Sequence, residues 1–178
     1  GTETTIGTTS TQDPMFIRWS DQDDFNSWTA TATNTSGSQR ITDGSEIVTA
    51  VRTRGQILIL TDTSAHGMSF IGAPCTFGFQ QLGSNCGAIS PNCAVDVGGI
   101  VYWMSSDAFY RFDGTVRKIP CTVEDFVFDN IEPKQYEQVF AGSNSAFGEI
   151  WWLYCTTASN QNDKYVIYNY QENLWYTG

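Results

Sequence analysis

The chain is short of charge, of basic residues and of histidine, and each shortage closes off a class of function. Of its 178 residues only 16% are charged, against 14% aromatic and 40% hydrophobic. Such a composition builds a buried core, whereas disordered segments are poor in aromatics and rich in charge. Nine Lys and Arg face nineteen Asp and Glu, for a formal net charge of −10. Affinity for phosphate backbones rests on cations that release counterions, so this balance disfavours nucleic-acid binding. No apolar run nears the roughly 20 residues that span a bilayer. The first ten residues, GTETTIGTTS, are polar with one charge at Glu3, which is no secretory signal. The chain starts without Met and reads as a fragment or a processed product.

Five cysteines, Cys75, Cys86, Cys93, Cys121 and Cys155, make an odd count without a C-x-x-C pair. A disulfide framework wants an even count, and a zinc site wants close pairs of Cys or His. The thiols therefore read as small buried hydrophobes in a reducing compartment. His66 is the single histidine and, followed by Gly67, reads as a surface residue of a turn. These absences remove most thiol, zinc and serine-hydrolase mechanisms.

What the chain does have is a repeat. Dense apolar strands begin at Ile57 (ILILT), Ile100 (IVYWMS) and Ile150 (IWWLYC), and spacings in the range of roughly 40 to 50 residues are those of four-stranded propeller blades. A strand precedes each: EIVTAVRT from Glu46, CAVDV from Cys93 and EQVFAG from Glu137. Gly55, the pair Gly98 and Gly99, and Gly148 supply the hairpin turns between them. Third strands follow as GMSFIG, AFYRF and KYVIYNY, and fourth strands as TFGFQQL, VRKIP and NLWY. Asp113-Gly114 marks the turn between the last two strands of the middle unit.

Met15 to Trp28 (MFIRWSDQDDFNSW) has the order of Tyr165 to Trp175, a strand, an acidic turn and a strand carrying Trp, and so predicts half of a further blade. Residues 122–136 predict a helical insertion. Thr122 with Asp125 makes a capping-box pattern, Val123, Phe126 and Val127 follow at helical spacing, and Pro133 suits the first turn of a second short helix. The expected architecture is thus all-β: a polar segment over 1–13, then a β-propeller portion over 14–178 of half a blade and three whole ones. Closing a ring takes at least four blades, so the remainder would come from other chain.

The runs IVYW and IWWLY are apolar at successive positions, as in strands covered on both faces. Trp151 and Trp152 point to opposite faces, so each is expected to find its own neighbouring sheet. The aromatics as a whole read as core. A carbohydrate platform would need several rings exposed together, which these strands do not suggest.

No catalytic, cofactor-binding or metal-ligating residue is assigned. Asp21, Asp23 and Asp24, with Asp13 nearby, could hold Ca²⁺, but lack the EF-hand spacing and read as turn residues bonding their own backbone. Glu124 with Asp125, or Glu149 beside Trp151, could be proposed as glycosidase carboxylates, though no spacing singles them out. Arg52 and Arg54 share one face at a strand end and read as an inter-subunit or inter-blade salt-bridge site. Phosphate-binding glycine patterns do not occur.

The segments IRWSDQDDFNSWTATATNTSGSQRI, VRTRGQILILTDT, NCGAISPNCAVDVGGIVYWMSSDAFYRFDGTVRKIPCTVEDFVF and GEIWWLYC with DKYVIYNYQENLWYTG are similar to the nozzle proteins of short-tailed bacteriophages, also called tail stabilisation or tail tubular proteins. The resemblance runs from about Met15 to Gly178 and rests on many short words in one order. It implies a non-enzymatic virion component with a propeller body, assembled in the host bacterial cytoplasm. Six subunits would form a ring between a tail adaptor and a distal plug, spike or fibre, passing double-stranded DNA without binding it and needing no cofactor. The acidic balance fits a conduit that must not hold DNA. The alternative expectation is a propeller that binds or cleaves carbohydrate at a host surface.

Overall fold

The three apolar runs form the second strands of three four-stranded antiparallel sheets in the computed structural model, which describes residues 1–178. The chain opens with β1 (Thr2–Glu3) and β2 (Gln12–Asp13), which pair with each other, and then β3 (Phe16–Trp19) and β4 (Gly37–Arg40), which form a second two-stranded ribbon. Sheet 1 comprises β5 (Ile47–Arg52), β6 (Ile57–Thr61), β7 (Ser64–Gly72) and β8 (Thr76–Ser84). Sheet 2 comprises β9 (Ala94–Val97), β10 (Ile100–Met104), β11 (Phe109–Phe112) and β12 (Val116–Ile119), and sheet 3 comprises β13 (Phe140–Asn144), β14 (Glu149–Tyr154), β15 (Lys164–Asn169) and β16 (Leu174–Thr177). In each sheet the strands neighbour one another in chain order. The turns explain why. Gly98 and Gly99 both hold positive φ, at 63° and 91°, between the paired residues Val97 and Ile100, as a two-residue hairpin of the right twist requires.

The sheets stack face to face, with β5, β9 and β13 side by side. One face of sheet 2 carries Val101 and Trp103 towards sheet 1, where the Trp103 indole donates to the Cys86 carbonyl at 2.8 Å. The other face carries Tyr102 and Phe109 towards sheet 3, where Phe109 meets Trp152 and Trp175 at centroid distances of 4.8 and 4.7 Å. Trp152 donates to the Cys93 carbonyl and Trp175 to that of Pro120, each at 2.9 Å. A buried indole must find such an acceptor, so these bonds fix the stacking as well as filling the core. The remaining face of sheet 1 is covered by the β3–β4 ribbon: Trp19 lies 5.2 Å from Phe77 and 6.0 Å from Phe79. Its ring rests on Gly37, where any Cβ would collide with it at 2.4 Å.

The expected propeller does not form. The three four-stranded sheets are separate, and none closes into a propeller or a barrel. The physical reason lies in the pairing, since each sheet's strands bond only within that sheet and no strand pairing joins sheet 3 to the β3–β4 ribbon. The expected half blade is corrected too. β3 pairs with β4, not with a strand through Trp28; residues 20–36 form an irregular loop in which Trp28 is exposed. That loop is organised by Asp21, whose carboxylate accepts from the Gln22 and Thr35 amides and the Thr35 hydroxyl at 2.6–2.9 Å.

Between β12 and β13 lie the short helix α1 (Glu124–Phe128) and a 3-10 helix over Pro133–Gln138, with Pro133 in its first turn. The capping-box expectation is corrected: Val123 is the residue at the helix start, and no side chain caps it. Val127 and Ile131 anchor the insertion in the core. No helix is long and apolar enough to cross a membrane.

Candidate functional site

The strand register decides which groups meet on the outer face of sheet 3. Pairing aligns Phe140, Leu153, Tyr165 and Gly178 in one row across the sheet. Gly142, Trp151, Ile167 and Tyr176 form the next, and Asn144, Glu149, Asn169 and Leu174 the third. Alternate residues point the other way, so Ala141, Ile150, Trp152, Tyr154, Val166, Tyr168 and Trp175 face sheet 2 and are buried. The outward rows meet no sheet, and only Ile167 and Asn169 at their centre are buried, by their own neighbours. Phe140 is 52% exposed, Tyr176 45%, Leu153 38% and Tyr165 36%.

The face is ordered by its own members. Trp151 lies 5.1 Å from Tyr165 and donates its indole N–H to Glu149 Oε2 at 3.0 Å. Tyr165 lies across Gly178, where an added Cβ would strike the ring at 2.3 Å. Gly142 leaves a notch at the β13 edge, since a Cβ there would meet only the rim of Phe140 at 3.9 Å. The polar side-chain groups of the first two rows are two phenol hydroxyls and the Trp151 indole N–H, and no side chain in them is charged.

This overturns two expectations. Trp152 finds its neighbour and is fully buried, whereas Trp151, expected under another sheet, is only partly buried and packs on Tyr165 of its own. Several rings are exposed together, contrary to the reading of the aromatics as core. The signal that could have shown it is small: Gly142 and Glu149 break the apolar run only on one parity.

Other candidate residues do not converge. His66 is a buried strand residue, not a turn residue at the surface. Its Nε2 lies 2.8 Å from Ser64 Oγ, which donates to the Asp43 carbonyl at 2.8 Å and lies as close to Thr61 Oγ1. Burial lowers the His66 pKa, outweighing the opposing pull of the Asp43 carboxylate. Although a Ser–His pair resembles the start of a catalytic triad, Ser64 is wholly buried and no substrate reaches its oxygen. Glu124 pairs with Lys118 at 2.8 Å, Asp125 lies in the first turn of α1, and Glu149 stands on sheet 3, so these carboxylates share no cleft. Arg52 and Arg54 are exposed and neither forms a salt bridge within the chain, so the inter-blade pairing is not made; Arg54 leans over Gly99 of sheet 2. The polar cleft beside it, about 680 Å³, is lined mainly by the turns at Arg54, Gly99 and Asp113, and only Ile100 and Phe112 give it apolar wall. Ligand pockets are usually mostly apolar, so this open cleft is a poor one. No cluster of three His, Cys, Asp or Glu side chains is placed to hold a metal ion.

All five thiols are free. Cys86, Cys93 and Cys155 are buried while Cys75 is exposed at the β7–β8 turn. Burial pushes the Cys86 and Cys121 thiols up to about 11.

No protein-family model and no curated protein matches the chain. With no matching relative and no closed ring, the tail-nozzle role expected from the resemblance is overturned, together with the viral, virion and propeller descriptors attached to it. A conduit needs a wall around a bore, and three open sheets supply none. The carbohydrate-active propeller falls with the same architecture.

Proposed function

We propose that this chain is a non-catalytic protein-interaction module that docks an apolar protein surface on the outer face of sheet 3. The observation that supports it is the pair of rows without charged side chains, Phe140–Leu153–Tyr165 and Trp151–Ile167–Tyr176, of which Phe140, Leu153, Tyr165 and Tyr176 are exposed, on a chain of net charge −10. Contiguous exposed apolar surface is uncommon on a lone soluble domain and marks interaction sites. The composition suits such a site, because aromatic residues are enriched and charged ones depleted at interface centres. A nucleophile, a base and a cleft do not come together elsewhere in the molecule.

The test is a double substitution, Leu153→Lys with Tyr176→Glu, which places charge on both rows without touching the buried face. Binding of the dye bis-ANS should fall severalfold while the near-ultraviolet circular dichroism stays that of the parent. Undiminished dye fluorescence would show that the accessible apolar surface lies elsewhere.

A further inference from the structure

We infer that the free edge of β8 is a second docking site, which takes an extended peptide segment of another protein as a fifth strand of sheet 1; the site is independent of the outer face of sheet 3. The backbone specifies the occupant. β8 is the last strand of its sheet and pairs with β7 alone. None of residues 78–84 makes a backbone hydrogen bond outside that sheet. Its outer N–H and C=O groups are therefore unpaired, and what satisfies a row of such groups at strand spacing is another strand.

The remaining edges are less available. β5, β9 and β13 lie side by side. β12 carries the exposed Arg117 and Lys118, and β16 has only four residues. β8 has nine residues and no charge. No Asp, Glu, Lys or Arg occurs anywhere from Thr63 to Val95, in a chain of which 16% is charged. Charge and shortness are the devices that keep an edge from pairing, and β8 has neither.

Side chains add a place for specificity. The β3–β4 ribbon and the loop 20–36 stand beside β8 across a groove of about 590 Å³, walled by Trp19, Thr31, Gln39, Phe77 and Phe79 among others and by no charged residue. A strand laid along β8 turns alternate side chains to the side of Phe77 and Phe79, where the groove receives apolar ones. This is the logic of strand addition: backbone pairing supplies affinity, and pockets at every other position supply selectivity. Charge selects the flanks. The loop that contributes Thr31 to the groove also carries Asp21, Asp23 and Asp24, the last two exposed. On a chain of net charge −10 this favours a segment with basic ends. A second copy offers the same edge only with −10 attached, and is disfavoured on the same ground.

The probe is fluorescein-labelled KTVTFTVTK-amide, an alternating peptide with basic ends. Titrated by fluorescence anisotropy with the full chain to about 300 μM, a range that covers weak binding, it should bind saturably. Amide exchange across residues 76–84 should then slow by about fivefold or more, while that of β16 stays unchanged. Of two isomers N-methylated at alternate residues, one masks the N–H groups turned to β8 and the other those turned away. One should therefore lose about tenfold or more in affinity and the other little. Thr31→Trp, which fills the groove from an exposed position, should weaken binding by a similar factor, whereas Phe147→Ser at the exposed β13–β14 turn leaves it unchanged. No binding, equal loss from both isomers, or protection confined to residues outside β8 overturns the inference. Slowing of β8 exchange with chain concentration alone, without peptide, assigns the edge to a second copy and overturns it as well.

Discussion

Trp151 and Trp152 are chemically identical neighbours on β14, yet they differ in what lies beyond them. Trp152 is enclosed by Phe109, Trp175 and the Cys93 carbonyl, so Trp152→Ala should cost roughly 3–5 kcal/mol, as large-to-small core changes do. Trp151→Ala removes a partly exposed indole that packs on Tyr165 and bonds Glu149, and should cost less, about 1 kcal/mol. Urea denaturation of both variants checks the difference, and equal losses would mean that Trp151 is covered. Tyr154 offers a second residue-scale test. Its hydroxyl is buried without a hydrogen-bond partner, and such a group costs about 1–3 kcal/mol. Tyr154→Phe should therefore raise the urea midpoint by the equivalent of about 1 kcal/mol; a lower midpoint would reveal an acceptor for the hydroxyl.

At the scale of elements, the buried Ser64–His66 pair ties β7 to the segment preceding sheet 1 through the Asp43 carbonyl. The imidazole is neutral in the fold, and its pKa lies below the usual 6.5 because burial disfavours the cation. The unfolded chain thus binds the proton more readily. The stability contributed by neutral His66 is fully present above pH 6.5 and is lost as pH falls through the lower folded value. The lowered carboxyls of Asp13, Asp21, Asp62 and Asp163 act further down, below their ordinary value of 3.8. Stability measured by urea between pH 7 and 5 should decline in the wild-type chain, and His66→Gln should remove most of that slope. An identical slope in the variant would assign the titration to another group.

The same scale shows what could be read in advance. All three four-stranded units were legible, because alternating or dense apolar runs bounded by Gly turns can pair in chain order in only one economical way. β9 and β10, joined by Gly98 and Gly99, are the plainest case. The β3–β4 ribbon was not legible, since β4 is the polar GSQR and its pairing is set by Trp19 lying on Gly37. His66 looked like a turn residue because Gly67 follows it, yet both sit within β7, the Gly allowing close approach of Gln56 and Leu82 side chains. The candidate face was illegible for a different reason. IVYWM and IWWLY carry the same local pattern, and only the presence or absence of a neighbouring sheet distinguishes a covered strand from an open one.

The molecule as a whole is an uneven stack: a ribbon covers one end, sheet 2 is enclosed, and sheet 3 meets no other sheet on its outer side. Hydroxyl-radical footprinting read by mass spectrometry, on chain dilute enough to be monomeric, tests this most directly. Trp151, Leu153 and Tyr176 should label readily while Trp103 and Trp152 stay protected. Protection of Trp151 and Tyr176 to the level of Trp152 in the dilute monomer would contradict the open face and every function argued from it.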